Sequence, residues 1–284
     1  MALTRLYEEQ ELAPELRRIY TEIRCNLDLP FVPSLFKMAA GIPEYLKVMW
    51  HDLAPVARSR EFHAAGLAME EFTRSLAVSD GWRFSDQQRV LAEQKVPPDD
   101  VEQLAAIVGI FVRALPRMLL FTRLAQRGYS GGQPGRISAG KQVSAMSRLV
   151  TLHVPNERDA GLRVWLIYND IKKTTGGSGH VMSLLRVLSP FPGYLASIWV
   201  DAKKVMREDS FLSARDRVNK RALGLLNGLP VRDHRAAAGK VTQEQWKEIE
   251  EMVDGCARLL PLFALLAAVW QRSFTGRRST VFAA

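Results

Sequence analysis

The amino-acid sequence predicts an all-α protein made of two tandem helical repeats, related by a pseudo-twofold axis, with a ligand pocket between them. Apolar residues recur at spacings of three and four, which is typical of amphipathic helices, and no period-two run of β-branched residues indicates a strand. In addition, the segment IPEYLKVMW at residues 42–50 returns 149 residues later as FPGYLASIW at residues 191–199, with Pro, Tyr, Leu and Trp in the same places.

The duplication extends well beyond this motif. Further pairs keep the same order at offsets between 145 and 149 residues: Tyr20 with Tyr168, Ser34 with Ser183, Phe62 with Phe211, and Pro116 with Pro261. Such an ordered series is hard to obtain by chance. We therefore divide the chain into four parts: helical repeat 1 at 1–126, a Gly/Ser-rich linker at 127–142, helical repeat 2 at 143–274 and a tail at 275–284.

Amphipathic spacing and helix-breaking prolines predict the individual helices. Those of repeat 1 are residues 12–25, a short helix that Ser34 caps, a helix that Pro43 opens, residues 61–77 and residues 101–124. Proline inside a helix removes a backbone donor, so we expect the last of these to be interrupted or kinked near Pro116. The second repeat follows the same plan from residue 158 to about residue 274.

Composition indicates an ordinary globular protein. The chain has 284 residues, 47% of them hydrophobic and 24% charged, which is long enough to bury a sizeable core. The two cysteines lie far apart without a Cys-x-x-Cys motif, so we predict neither a disulfide framework nor a cysteine zinc site, and a reducing compartment. A signal peptide is not recognisable, and the most apolar segment, residues 259–270, is shorter than the roughly 20 residues that span a bilayer. We expect a soluble, cytoplasmic protein without a membrane partner.

The net charge of +9 raises the question of nucleic acid. Basic residues are spread along the chain and mostly alternate with acidic ones, and no nucleic-acid-binding motif accompanies them, so we expect no nucleic-acid partner. A positive field would also attract small anions such as carboxylates. His-x-x-His or Glu-x-x-His spacing with a partner cluster is missing, so the sequence predicts no metal.

Three sequence segments, YTEIR at residues 20–24, LPFV at 29–32 and the motif at 42–50 with its later copy, resemble the group I 2-haloacid dehalogenases. The resemblance covers nearly the whole chain and implies an all-helical tandem repeat. It further implies a cofactor-independent hydrolase that replaces the halogen of small D- and L-2-halocarboxylic acids by direct attack of water. An aspartate in the second repeat would be the general base, without a covalent intermediate.

The resemblance also places the pocket in this sequence. Its substrate-binding positions fall on Phe31, Ser34, Leu115, Ser183, Leu184 and Cys256, and we predict that Phe111 binds the substrate as well. The family's Ser-Asp pair falls on Ser183 and Leu184, and a leucine cannot accept a proton. His180, the repeat counterpart of Phe31, lies four residues before Leu184 and has a suitable pKa, so we predict it as the candidate base. The alternative is that His180 only flanks a helix start after a glycine-rich loop.

Three functions remain open at this point. The first is a dehalogenase-like hydrolase in which His180 or a misaligned acid is the base. The second is a diverged cofactor-free cyclase, isomerase or lyase that uses His180 on a larger apolar carboxylic acid. The third is a non-catalytic binding protein with an apolar cavity. The expected partner is a small-molecule carboxylic acid, and a homodimer is left open. For other reactive side chains, Cys256 is expected to pack in the core, and His153 and His234 to be exposed in loops.

Overall fold

The computed structural model describes residues 5–138, 152–176 and 179–275, and all regular secondary structure in these ranges is helical. The all-α prediction is confirmed. The helices of the first half are α1 Pro14–Leu27, α2 Ser34–Ala39, α3 Pro43–Arg58, α4 Arg60–Ser79, α5 Gln87–Glu93 and α6 Pro98–Tyr129. Those of the second half are α7 Leu162–Thr174, α8 Ser183–Arg186, α9 Pro192–Val205, α10 Asp209–Leu225, α11 His234–Ala237 and α12 Gln243–Thr275.

The two halves repeat one series of elements. A short 3₁₀ helix precedes α1 at Glu9–Glu11, and another precedes α7 at Glu157–Asp159; six α-helices then follow in the same order in each half. Sequence periodicity missed α5 and α11, which are too short to show it. Helix α6 continues to Tyr129, into the predicted linker, whose residues 139–142 lie outside the described residues, as does the tail from residue 276.

The repeated Pro-x-Tyr-Leu-x-x-x-Trp motif begins α3 and α9 and fixes each to the first helix of its half. Trp50 donates its indole N–H to Glu22 Oε2 at 2.9 Å, and Trp199 donates to Asp170 Oδ2 at 2.8 Å. The tyrosines and leucines of both copies are fully buried. The motif therefore recurs because both halves use the same helix–helix contact.

Helices α6 and α12 form the centre of the fold and pack along each other more extensively than any other pair of described helices. Each is long and apolar enough to cross a membrane by length and composition alone, but 78% and 83% of their most apolar windows are buried inside the protein, as in core helices. Pro116 and Pro261 lie inside these helices. The interruption expected near Pro116 is therefore absent, because packing holds the helix together despite one missing donor.

Two equivalent clasps join the halves. Asp52 in α3 accepts a hydrogen bond from the backbone N–H of Arg232 at 2.9 Å, and Asp201 in α9 accepts one from the backbone N–H of Ser85 at 2.7 Å. The two aspartates are 149 residues apart, so each half grips the segment just before the short fifth helix of the other half. The repeats are thus interlocked rather than simply side by side.

His234 completes the first clasp and is fully buried, with Nε2 at 3.0 Å from Asp52 Oδ2. The expectation of an exposed His234 is wrong, whereas His153 is exposed as expected. The ring of His234 packs against Tyr45, with 6.3 Å between ring centroids, and against Gly128 in α6. A Cβ at Gly128 would lie 2.2 Å from two atoms of the imidazole, so this helix position has room for glycine alone.

We therefore expect Gly128→Ala to lower the free energy of unfolding by about 1–3 kcal/mol, because the buried imidazole has to move. The matched control is Gly255→Ala in α12, where an added Cβ meets nothing within 4 Å. That variant should raise the free energy of unfolding by about 0.5–1 kcal/mol through helix propensity. Urea unfolding measures both, and equal midpoints for Gly128→Ala and the wild type would contradict the described packing.

Candidate functional site

A small cavity of about 30 Å³, lined by buried residues, lies where the two repeats meet. Its walls come from α2, α6, α8 and α12 and from the segments just before α2 and α8. The lining residues are Phe31, Pro33, Ser34, Leu35, Phe111, Ala114, Leu115, Met118, His180, Met182, Ser183, Cys256 and Leu260. Both halves of the chain thus contribute, as the pocket prediction required.

Most of the lining consists of repeat-equivalent pairs. These pairs are Phe31 with His180, Pro33 with Met182, Ser34 with Ser183, Phe111 with Cys256, and Leu115 with Leu260. Equivalent residues can meet around one space only where the pseudo-twofold relation between the repeats brings them together. The cavity therefore lies on the axis that relates the two halves.

The structure brings together seven of the eight residues that the sequence singled out. His180, Phe31, Ser34, Phe111, Leu115, Ser183 and Cys256 all line the cavity. Leu184 differs: it is buried, with 1% of its surface exposed, but does not belong to the lining.

The walls of the cavity are mainly apolar and aromatic. Phe31 and Phe111 face each other with ring centroids 5.2 Å apart. Burial raises the pKa of the Cys256 thiol to about 12, which keeps it neutral and leaves it unsuited to act as a nucleophile. Aspartate and glutamate are absent from the lining residues that the structure describes, and His180 is the one imidazole among them.

One edge of the cavity is polar. The hydroxyl oxygens of Ser34 and Ser183, equivalent residues from the two repeats, lie 3.2 Å apart. Arg186 donates from Nη2 to both of them, at 3.1 Å each, and from Nη1 to the carbonyl oxygen of Pro155 at 3.0 Å. The prediction that Ser34 caps α2 is wrong: Pro33 holds the cap position, and the Ser34 hydroxyl is engaged by the guanidinium instead.

Arg186 is fully buried behind the two serines. Burial lowers the pKa of its guanidinium below the usual value, while the negative charges of Glu157 and Glu8 oppose that change. An arginine side chain nevertheless stays protonated in proteins at neutral pH. This residue was not predicted from the sequence, although the repeat contains a signal for it. Lys37 stands at the equivalent position 149 residues earlier, so a cation occurs twice within an apolar segment.

Metal-ligand clusters and larger grooves are the other possible kinds of site. Among the described residues, no three His, Cys, Asp or Glu side chains come together as metal ligands would. A larger groove of about 600 Å³ runs along α1 and α3, but it is more open to solvent, about half of its lining residues are charged, and no reactive side chain singled out by the sequence lines it. The small cavity on the axis is therefore the candidate site.

Comparisons with known proteins agree with this architecture. The family model described as halocarboxylic acid dehydrogenase DehI matches residues 30–182. An (R)-2-haloacid dehalogenase of Pseudomonas putida is 23% identical over 263 residues, which cover 89% of this chain and 86% of that protein. Another, from Rhizobium sp. (strain NHG3), is 22% identical over 234 residues, which cover 81% of this chain and 90% of that protein.

Solved structures share the fold as well. A D-2-haloacid dehalogenase in complex with L-LA superposes with a TM-score of 0.87 at 21% identity, covering 96% of this chain and 97% of that one. A mutant D-2-haloacid dehalogenase in complex with D-2-CPA gives a TM-score of 0.83, also at 21% identity, with 96% of each chain covered. At this level of identity the likeness shows the fold alone.

The raised pKa of Cys256 leads to a labelling prediction. A pH of 8 is about four units below the pKa of this thiol, so roughly one molecule in 10⁴ carries a thiolate. The side chain is also buried. We expect iodoacetamide to modify the partly exposed Cys25 in the folded protein and Cys256 only after unfolding in urea. Mass spectrometry of tryptic peptides measures this, and equal labelling of the two cysteines in the folded state would contradict it.

Proposed function

The chain belongs to the DehI family, and on that premise we propose that it hydrolyses the carbon–halogen bond of a small 2-halocarboxylic acid held in the cavity between its repeats. The relatives named (R)-2-haloacid dehalogenase suggest the substrate class. One observation carries the proposal: the cavity on the axis is small and apolar, and His180 is the single imidazole among its described lining residues.

The size of the cavity supports a substrate with few carbon atoms. Pockets for drug-sized ligands measure about 300–1,000 Å³, whereas this one has about 30 Å³. A two- or three-carbon acid needs only a modest outward movement of side chains such as Met118 and Met182, and methionine adapts easily. A cyclase, isomerase or lyase acting on a larger apolar acid would need a substantial opening, so the cavity size weighs against that alternative.

The reaction proceeds in one displacement. The oxygen of a water molecule attacks C2 of the substrate on the side opposite the halogen, and the new C–O bond forms as the carbon–halogen bond breaks. The imidazole of His180 takes one proton from the water, and the halide leaves with the bonding electron pair. The products are the 2-hydroxy acid of inverted configuration, a halide ion and an imidazolium that returns its proton to solvent.

The apolar walls have a separate part in this reaction. Phe31, Phe111 and Leu115 would pack around the alkyl group and the halogen and keep the bulk solvent away. Exclusion of water strengthens electrostatic interactions in the site and limits competing proton transfers. The nearly complete burial of His180 fits such an environment.

A second candidate function is binding of a small carboxylic acid without turnover. The observation that favours it is the absence of a carboxylate from the described lining, with Leu184 at the position where the resemblance implies an aspartate. A binding protein would keep the cavity and its polar edge and would not need a base.

Hydrolysis predicts release of halide from 2-chloropropionate or 2-bromopropionate. Ion chromatography measures the halide, and chiral chromatography of the lactate formed from each enantiomer tests the inversion. His180→Gln should lower kcat by about 10²–10⁴-fold, the usual contribution of a general base, while KM changes little. The control is His153→Gln, which alters an exposed histidine and should leave kcat unchanged. Wild-type halide release no faster than in buffer would contradict hydrolysis and leave the binding function.

A further inference from the structure

We infer that Ser34, Ser183 and Arg186 together form a receptor for the carboxylate group of the cavity's ligand. The two serines belong to the cavity lining, and the guanidinium donates a hydrogen bond to each of their hydroxyls. The inference rests on the proposed function only in that the ligand is a small carboxylic acid. It holds whether or not that acid is turned over.

In the described ranges, the buried positive charge of Arg186 is bonded to neutral groups alone. The side chain is fully buried, yet its hydrogen-bond acceptors are two serine hydroxyls and one backbone carbonyl, all of them neutral. Within the part of the chain that the structure describes, no carboxylate oxygen lies within 4.0 Å of it, and Nε has no hydrogen-bond partner. A buried charge is costly unless a counter-charge accompanies it. An anion in the cavity would supply that counter-charge.

Among the described residues, the equivalent cation of repeat 1 has a carboxylate partner, unlike Arg186. Lys37, the equivalent residue in repeat 1, is also buried, but its ammonium lies 2.5 Å from Glu8 Oε2 in a direct ion pair. The nearby Glu157 of repeat 2 is instead 2.6 Å from Lys172. The two carboxylates that influence Arg186 thus each have a lysine of their own. One positive charge remains next to the axis without a direct carboxylate partner among the residues that the structure describes.

The hydroxyl hydrogens of Ser34 and Ser183 are available as donors. Each serine oxygen accepts a hydrogen bond from Arg186 Nη2, so each hydroxyl hydrogen has to point away from the guanidinium. One hydroxyl can donate to the other across their 3.2 Å separation, which leaves the second free to donate into the cavity. An arriving oxygen anion can accept from both. The polar edge is therefore a pair of donors, made stronger by the charge behind them.

Such an edge selects a ligand group by its chemistry. A carboxylate offers acceptors alone and carries the negative charge that the site lacks, whereas a neutral amide brings its own N–H donors and no charge. The rest of the described lining is apolar apart from His180 and the neutral thiol of Cys256. The carboxylate thus has one place to bind, and the carbon chain is left against the aromatic walls.

The test uses propionate, which carries the acid group but no halogen, and propionamide, its neutral analogue. Isothermal titration should show that the full-length wild-type chain binds propionate and that propionamide binds at least about tenfold more weakly, since hydrogen bonds to a charged group are the stronger ones. Arg186→Met should weaken propionate binding by at least about tenfold. Arg123→Met is the control, because Arg123 is a partly buried arginine that also donates to neutral acceptors, Asn219 Oδ1 and the Ala257 carbonyl, but does not belong to the cavity.

A second variant guards against unfolding of Arg186→Met, which circular dichroism would reveal. Ser34→Ala combined with Ser183→Ala keeps the guanidinium but removes both hydroxyl donors, and it should also weaken propionate binding by at least about tenfold. Propionamide binding as tightly as propionate, no propionate binding by the wild type, or unchanged propionate affinity in the double variant would each overturn the inference. Propionate binding that depends on Arg186 without any halide release would support the receptor and refute hydrolysis.

Discussion

Neither repeat can cover its own longest apolar helix, and the rest of the structure follows from this constraint. Helices α6 and α12 bury their apolar faces chiefly against each other, so the core of the protein belongs to both halves at once. The clasps at Asp52 and Asp201 then hold each half to the segment before the short fifth helix of the other. Burial of apolar surface is the dominant favourable contribution to folding, so neither half is complete without its partner.

The candidate site is a direct product of this arrangement. The segments before α2 and α8 approach the axis from opposite sides, and α6 and α12 close the space between them. Equivalent residues therefore face one another, and the contact between Ser34 and Ser183 brings a single position of the repeat together with its own copy. The cavity forms only when both halves are folded and docked, because each half supplies about half of its walls.

Much of the fold and of the lining could be predicted from the sequence because both depend on local pattern and on the duplication. The spacing of apolar residues indicated the long helices, and the offset of 149 residues was enough by itself to pair Phe31 with His180. Short helices such as α5 and α11 carry too few residues to show a period. His234 was misplaced because its burial depends on Asp52, 182 residues away. Leu184 was assigned to the pocket by resemblance, whereas it is buried outside the lining to which Ser183 belongs.

The burial of Arg186 could not be predicted from the sequence for a related reason. A single arginine near a short helix is usually a surface residue, and its burial depends on Ser34 from the other repeat and on the carbonyl of Pro155. The repeated cation at positions 37 and 186 was visible in the sequence, but sequence alone does not show that Glu8 neutralises the first and that no direct carboxylate partner faces the second among the described residues.

The paired lining has a stereochemical consequence. A cavity on a true twofold axis looks the same after half a turn, so it offers any ligand two equal orientations and cannot favour one. Here the Ser34–Ser183 and Leu115–Leu260 pairs keep that symmetry, whereas the repeat equivalent of Phe31 is His180 and that of Phe111 is Cys256. These unlike pairs make the two halves of the cavity chemically different. Divergence of the two copies has thus made a twofold-symmetric cavity asymmetric, so that the two orientations of a bound molecule are no longer equivalent.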